Sequence, residues 1–413
     1  MARRSSVLKN ALWTAYGRMR PGPKEGRYVA TNLLEQGRQV ADVCIVTNCG
    51  FPGGNASSTL TELQAFREAG LSVLIVHCSI KRSPWKWRWL AERYRPFEAA
   101  ILPADLVQKV TCDTLIVRGP RMMMTPLFER LSAKIRTRHA IFVVNNSAWS
   151  EQGKPVFSWP ALHRLVAAMP WREVELCPLG PIVRAEAERT LARHGIAASL
   201  SPRDWPPAFD ARRFSFAPRA RLEAPIVIGR HARDHPGKWL EDPAELLAVY
   251  PSGNLAIRVR VMGGADSVAG PLGGLPEDWE VIPFGTEGVE DYLAGLDVFV
   301  YFPAHARDEA FGRTVVEALL SGLPAILPPR FEATFGELAL YCEPGEVQGV
   351  IGRIAADDAG RLAYLAEARE AAARRYGAKS LPDRLRAAPG AAEAPARLGE
   401  AARAFRLRAM NGA

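Results

Sequence analysis

Two hydrophobic rhythms alternate along this chain of 413 residues. Short runs of β-branched and aromatic residues are followed by turn-rich stretches, then by apolar residues three and four apart. Val43-Cys44-Ile45-Val46-Thr47 predicts the first buried strand. A loop from Asn48 to Asn55 contains Gly50, Gly53 and Gly54. A helix is expected from about Ser57 through Leu60, Leu63 and Phe66 to Ala69, where Gly70 stops it. Val73 to His77 is the next strand, completing a β-α-β unit and predicting a parallel sheet. Further strands are expected at residues 113–117 and 140–144. The second half repeats the rhythm: strands at 226–230, 258–262, 281–285, 298–302 and 326–327. A helix follows Asp242-Pro243, another spans 314–321, and an alanine- and arginine-rich helix spans 346–377.

The proline-rich stretch from Ser201 to Ala224 divides the two halves. The expected organisation is a basic extension over 1–40, a first α/β domain over 41–205, a linker over 206–224 and a second α/β domain over 225–380. A tail over 381–413 either crosses back onto the first domain or is loosely held.

Composition narrows the function class. The hydrophobic content of 48% and charged content of 23% are ordinary for a soluble globular protein. No apolar stretch approaches the ~20 residues of a spanning helix, and no continuous apolar core follows the basic start, so a cleaved secretory signal is not expected. The six cysteines, Cys44, Cys49, Cys78, Cys112, Cys177 and Cys342, include no Cys-x-x-Cys pair and read as reduced thiols in a cytoplasmic protein without a zinc site. The net charge of +9 sits at the two ends of the chain, not across its body. That argues against nucleic acid as a partner and leaves attraction to an anionic membrane surface open. Leu8, Leu12, Tyr16 and Met19 fit a short interfacial helix or a tail packed on its own domain. In residues 81–95, Trp85, Trp87 and Trp89 alternate with cations. This suits either a membrane or acceptor contact, or tryptophans docked into their own domain.

The chemistry concentrates between Asp297 and Pro328. Glu309 lies in the loop after an apolar strand, and Glu317 lies on the helix behind it, eight residues on. Ionised carboxylates only accept hydrogen bonds, which suits a polyhydroxylated ligand. The backbone N–H groups near Phe311, Gly312 and Arg313 open the helix, where negative charge is stabilised. A sugar nucleotide offers both hydroxyls and a diphosphate.

The order Glu-x-Phe-Gly, x-x-x-x-Glu-Ala, Gly-Leu-Pro over residues 309–324 resembles the Glu-x7-Glu motif of GT4-type retaining glycosyltransferases. The resemblance implies a GT-B architecture, two Rossmann-like domains with parallel sheets facing across a cleft. It implies that Glu309 contacts donor sugar hydroxyls and Glu317 the ribose. Arg230, closing a strand, and Lys238, beyond a long loop, match by order the cations that hold the donor diphosphate. Gly263 and Phe284 would line the nucleotide pocket. Gly53 and Gly54 would border the donor phosphates from the first domain, and Phe311 and Gly312 would supply the helix start. No Asp-x-Asp occurs, so the metal-clamped alternative fold for sugar transfer lacks its usual ligands; the resemblance implies that no metal is needed, and no cofactor is expected. Where many family members carry a histidine after a first-domain strand, Asn145 stands here. His139 precedes that strand, and His77 ends another; the first domain's contribution to catalysis is thus open.

The implied activity is transfer of a hexose-type sugar from a nucleotide-diphosphate donor to a hydroxyl of a glycan or lipid-linked glycan, with retention, in cell-surface polysaccharide synthesis. The location would be cytoplasmic, at the inner face of the membrane if a basic segment docks there. The alternatives are a GT-B-type nucleotide-sugar epimerase and a non-catalytic basic protein binding membrane or nucleic acid.

Overall fold

A computed structural model of the protein describes residues 26–81, 87–150, 153–283, 285–305, 309–387 and 397–411. The chain forms two compact units. One comprises Met1–Ala208 with Leu381–Glu393, the other Phe209–Ser380 with Ala394–Ala413.

The first unit opens with β1 (Arg27–Val29), β2 (Arg38–Thr47), β3 (Val73–His77) and β4 (Trp89–Ala91). It continues through β5 (Ile101–Pro103), β6 (Lys109–Arg118), β7 (Ile135–Val144) and β8 (Glu173–Pro178). Six of these make a parallel sheet in the order β5-β3-β2-β6-β7-β8. β1 and β4 pair antiparallel beside it. The central strands carry continuous buried runs, Val43 to Val46, Leu115 to Val117 and Ala140 to Val144, as a sheet covered on both faces requires.

Three strands begin earlier than their apolar runs predict. β2, β6 and β7 start at Arg38, Lys109 and Ile135, because their amino-terminal halves carry polar residues that are largely exposed. His139 therefore sits inside β7 instead of preceding it. Tyr28 and Ala30, in the expected extension, are buried in a core cluster with Leu63, Leu90 and Tyr94. The remainder of that extension, residues 1–25 with Leu8, Leu12, Tyr16 and Met19, lies outside the described residues. All six cysteines are buried free thiols.

The second unit holds β9 (Ile226–His231), β10 (Ile257–Met262), β11 (Glu280–Ile282), β12 (Val298–Val300), β13 (Ala325–Leu327) and β14 (Leu340–Tyr341). They form a second all-parallel sheet, ordered β11-β10-β9-β12-β13-β14. Numbered within each six-stranded sheet, both read 3-2-1-4-5-6, the Rossmann order.

Residues 209–222, within the expected linker, pack in this unit. Phe214 and Leu222 are buried, and Arg361 donates to the Arg219 carbonyl (2.9 Å). The single helix expected over 346–377 is two, Val347–Ala356 and Asp358–Tyr376. They break at Asp357, whose carboxylate accepts from the Gly360 N–H (2.8 Å) and caps the second helix. The helix Leu381–Arg386 belongs to the first unit, whereas Glu400–Asn411 belongs to the second. There Arg406 donates to the Ala339 carbonyl (3.0 Å), and the Tyr341 N–H meets Met410 Sδ (3.3 Å), so the last helix lies against β14. No helix among the described residues is long and apolar enough to cross a membrane.

Between β7 and β8 a buried charge cluster ties the first unit together. His139 Nε2 lies 2.7 Å from Glu175 Oε1. Ser201 and Arg203 reach the other oxygen at 2.6 and 3.1 Å. Burial alone would raise the Glu175 pKa, but bonds from His139, Arg203 and Ser201 outweigh it and lower it to about 2. A carboxyl depressed when folded stabilises the fold above its unfolded pKa of about 4.3 and loses that contribution as pH falls toward the folded value. The protection factors of the β7 and β8 amides, corrected for intrinsic exchange, should thus fall as pH drops from about 4.3 toward 2. Glu175→Gln should flatten that acid response and cost on the order of 3 kcal/mol at pH 7, because Arg203 is left buried without its counter-charge.

Candidate functional site

Ligands of open α/β sheets bind beyond the strand carboxyl ends, where the strand order reverses. In the second unit that point lies between β9 and β12. β9 ends in Arg230-His231, and β12 runs on into Tyr301, Phe302 and Pro303.

Arg230 is only 1% exposed. Its guanidinium lies 3.8 Å from the Trp239 ring centroid and 5.3 Å from that of Tyr301, and Nη1 donates to the Lys238 carbonyl. Trp239 stacks in turn on Trp279, with centroids 6.2 Å apart. The loop from Ala232 to Gly237 is long in sequence but folded tightly. Asp234 accepts from the Ser267 N–H (3.0 Å) and from Trp239 Nε1 (3.3 Å), and His235 caps the short 3₁₀ turn Pro236–Lys238. The loop's length thus does not separate the two cations.

Gly263 makes that folding possible. Its φ is +108°, and an added Cβ would stand 1.8 Å from the Ala232 carbonyl oxygen. The Asp234 N–H donates to the Gly263 carbonyl (3.1 Å). Gly263 therefore serves a close backbone crossing next to the predicted diphosphate cations.

Lys238 Nζ pairs with Glu309 Oε2, and the Tyr301 hydroxyl donates to the same oxygen at 3.0 Å. Both side chains of the ion pair keep partial exposure, 14% and 16%. The loop that carries Glu309 is pinned at its start. Arg330 donates to the Pro303 and Ala304 carbonyls (2.7 and 3.0 Å), Glu241 accepts from the His305 N–H (3.0 Å), and Glu245 lies 2.8 Å from the His305 ring.

The helix Arg313–Leu320 buries Val315, Val316, Ala318, Leu319 and Leu320 and turns Glu317 the other way. Glu317 lies 3.3 Å from His231 Nε2 and 3.7 Å from Arg313. Burial first, and the Arg230 charge second, lower the His231 pKa to about 3. The neutral ring lacks hydrogen-bond geometry to Glu317, so their approach is a contact and not an ion pair. Gly312 heads this helix at φ +87° with no side-chain cap. Both glutamates therefore meet β9 at its carboxyl end, one through Lys238 and the other through His231.

Other expected residues fall elsewhere. The Phe311 ring is buried against Phe335 and Tyr376 (5.7 and 5.5 Å), so only its backbone remains for a ligand. Phe284 lies outside the described residues, and β11 ends at Ile282, short of it. Gly53 and Gly54 belong to the first unit and open the helix Gly54–Glu68 on its surface. Tyr301, His231 and Trp239 were missed. An aromatic at the end of an apolar run signals core, and only the folded loop reveals its polar tip.

The first unit's own reversal point, between β2 and β6, holds a self-contained polar network. Asn145 donates to Asn55 Oδ1 (2.7 Å), which also accepts from Arg118 (3.2 Å). Arg118 pairs with the fully buried Glu62, which also accepts from Trp205 Nε1 (2.9 Å). His77 is buried and accepts from the Cys49 N–H (3.0 Å); burial lowers its pKa to about 4. In the tryptophan-rich segment, Arg88 is buried and bonded to Asp105 (3.2 Å), while residues 82–86, including Trp85, lie outside the described residues. Among the described residues, no three His, Cys, Asp or Glu side chains group to hold a metal.

No protein-family model matches the sequence, and none of the curated proteins does. Solved structures do. The chain is similar to HepE from Anabaena, crystallised in complex with UDP-glucose, with TM-score 0.57 and 15% identity over 84% of this chain and 98% of that one. It is similar to a glycosyltransferase from Rickettsia africae, with TM-score 0.56 and 11% identity over 84% and 97%. It is similar to WaaG, a glycosyltransferase involved in lipopolysaccharide biosynthesis, with TM-score 0.50 and 13% identity over 83% and 98%. With two parallel six-stranded sheets, the architecture is GT-B.

Gly263→Ala should lower the thermal midpoint, with about 1–3 kcal/mol lost to backbone strain before the crossing itself is disturbed. Gly53→Ala should move the midpoint by no more than the equivalent of about 1 kcal/mol, since its added methyl meets open space and its φ of −76° is ordinary.

Proposed function

We propose that this protein is a glycosyltransferase of GT4 type. It would transfer a hexose-type sugar from a nucleotide-diphosphate donor to a hydroxyl of a glycan or lipid-linked glycan, with retention and without a metal. The observation that carries this reading is the convergence of Lys238 and Tyr301 on Glu309, beside the buried Arg230, at the strand-order reversal of the second sheet.

In this reading Lys238 moves from Glu309 to the donor diphosphate, and Glu309 accepts hydrogen bonds from sugar hydroxyls. As the bond from the anomeric carbon to the diphosphate oxygen breaks, its electron pair stays on the leaving group. Lys238 and the uncapped helix start at Gly312 stabilise that charge. Arg230 reinforces the field from within the fold and fixes the Lys238 backbone. Glu317, beside neutral His231, accepts from the ribose hydroxyls, and Gly263 shapes the nucleotide wall. The acceptor oxygen bonds the anomeric carbon on the face just vacated and gives its proton to the departing diphosphate oxygen. The first unit would serve the acceptor. The fold likeness to HepE, crystallised with UDP-glucose, supports a sugar-nucleotide donor. The basic segment 1–40 and the tryptophan- and cation-rich segment 81–95 support contact with an anionic membrane surface.

A thermal-shift panel of UDP-, GDP-, ADP- and TDP-sugars should give one stabilising class. With that donor, Glu309→Ala and Lys238→Met should each lower kcat/KM by about a hundredfold, Glu317→Ala should raise the donor KM, and EDTA should change nothing. Turnover untouched by Glu309→Ala and Glu317→Ala would refute the assignment. Product formed without acceptor would indicate epimerisation, and salt-sensitive binding that survives both glutamate variants would indicate a basic binding protein.

A further inference from the structure

We infer that Tyr301 is a positioning residue: its hydroxyl holds the Glu309 carboxylate where it grips the sugar half of the donor, independently of the diphosphate half. The inference rests on the donor reading above and assigns a residue which that reading leaves without a task of its own.

A carboxylate can only accept, so the 3.0 Å contact is donated by the phenol. The same Glu309 oxygen takes the Lys238 ammonium. These two donors differ in what holds them. Lys238 carries its charge on a flexible four-carbon stem. Tyr301 is 1% exposed, and its ring is fixed on three sides. Phe299 stacks at 6.3 Å, the Phe331 ring stands edge-on at 6.2 Å, and the Arg230 guanidinium lies 5.3 Å from the ring centroid. Few rotamers are open to a ring packed so closely, so its hydroxyl is a stationary point.

The consequence follows from donor binding. Once a diphosphate draws Lys238 away, the carboxylate loses the more mobile of the two donors. The phenol then keeps Glu309 aimed while the sugar hydroxyls approach. Tyr301 touches neither sugar nor phosphate in this scheme and acts through Glu309 alone. Its loss should therefore weaken the sugar nucleotide and spare the parent diphosphate, a split that a general loosening of the fold would not produce.

The test uses Tyr301→Phe, which keeps the ring and its packing, together with Glu309→Gln and the double variant. The probes are whichever of UDP-glucose, GDP-mannose, ADP-glucose and dTDP-glucose stabilises the wild type, and its parent diphosphate. Tyr301→Phe should weaken sugar-nucleotide affinity and lower kcat/KM on the order of tenfold, the scale of one hydrogen bond to a charged group. Diphosphate affinity should stay within about twofold, and the double variant should lose no more than Glu309→Gln alone. Equal losses for sugar nucleotide and diphosphate, or additive losses in the double variant, would overturn the positioning role. A Tyr301→Phe protein equal to wild type, with Glu309→Gln impaired, would overturn the inference and leave the donor reading standing. If Glu309→Gln itself matches wild type, or none of the four donors binds, the donor reading fails and this inference falls with it.

Discussion

The guanidinium of Arg230 is almost wholly withdrawn from water, and the carboxyl end of the second sheet is built around the means by which that burial is tolerated. Removing a charge from solvent costs several kcal/mol unless other groups replace the hydration. Here the replacements are the Trp239 π face, more remotely the Tyr301 ring, and the Lys238 carbonyl. A desolvated cation over tryptophan is worth about 2 kcal/mol or more. Each replacement also fixes part of the site. The carbonyl sets the Lys238 backbone, and the rings set the floor beneath Glu309. A lysine in place of Arg230 would keep the charge, but it lacks the planar fork that meets ring and carbonyl together.

The two units share one strand order and use their reversal points differently. In the first, Arg118, Glu62, Asn55, Asn145 and Trp205 bond one another, so the charges are consumed within the fold. In the second, Lys238, Glu309 and Glu317 keep some contact with solvent. A closed network rigidifies, whereas a partly open one has charge to offer a ligand. The chemical asymmetry between the halves therefore comes from side chains at corresponding places, not from topology.

Much of this was legible in the sequence because β-branched runs and 3.6-residue periodicity are local signals. The alternation of strand and helix rests on them, whereas Glu309, Glu317, Arg230 and Lys238 stand out through the resemblance of their chain order to the Glu-x7-Glu pattern. The strand starts at Arg38, Lys109 and Ile135 were not legible, because their polar residues carry no hydrophobic pattern. The break at Asp357 was hidden by a composition that favours helix on both sides. The burial of the Phe311 ring was not legible, because its partners Phe335 and Tyr376 lie far along the chain. Tyr301 and His231 acquired meaning only after the Ala232 to Gly237 loop folded over Gly263, a crossing set by backbone conformation that no side-chain pattern announces.

The final helix, Glu400–Asn411, lies along β14, the outermost strand of the second sheet. An uncovered edge strand presents a row of amides and carbonyls on which a strand from another molecule can add. Arg406 occupies the Ala339 carbonyl, and Met410 covers the Tyr341 amide. The helix Glu400–Asn411 thus shields that edge, and a chain shortened before Glu400 would leave the Ala339 carbonyl and the Tyr341 amide open to a strand from another molecule.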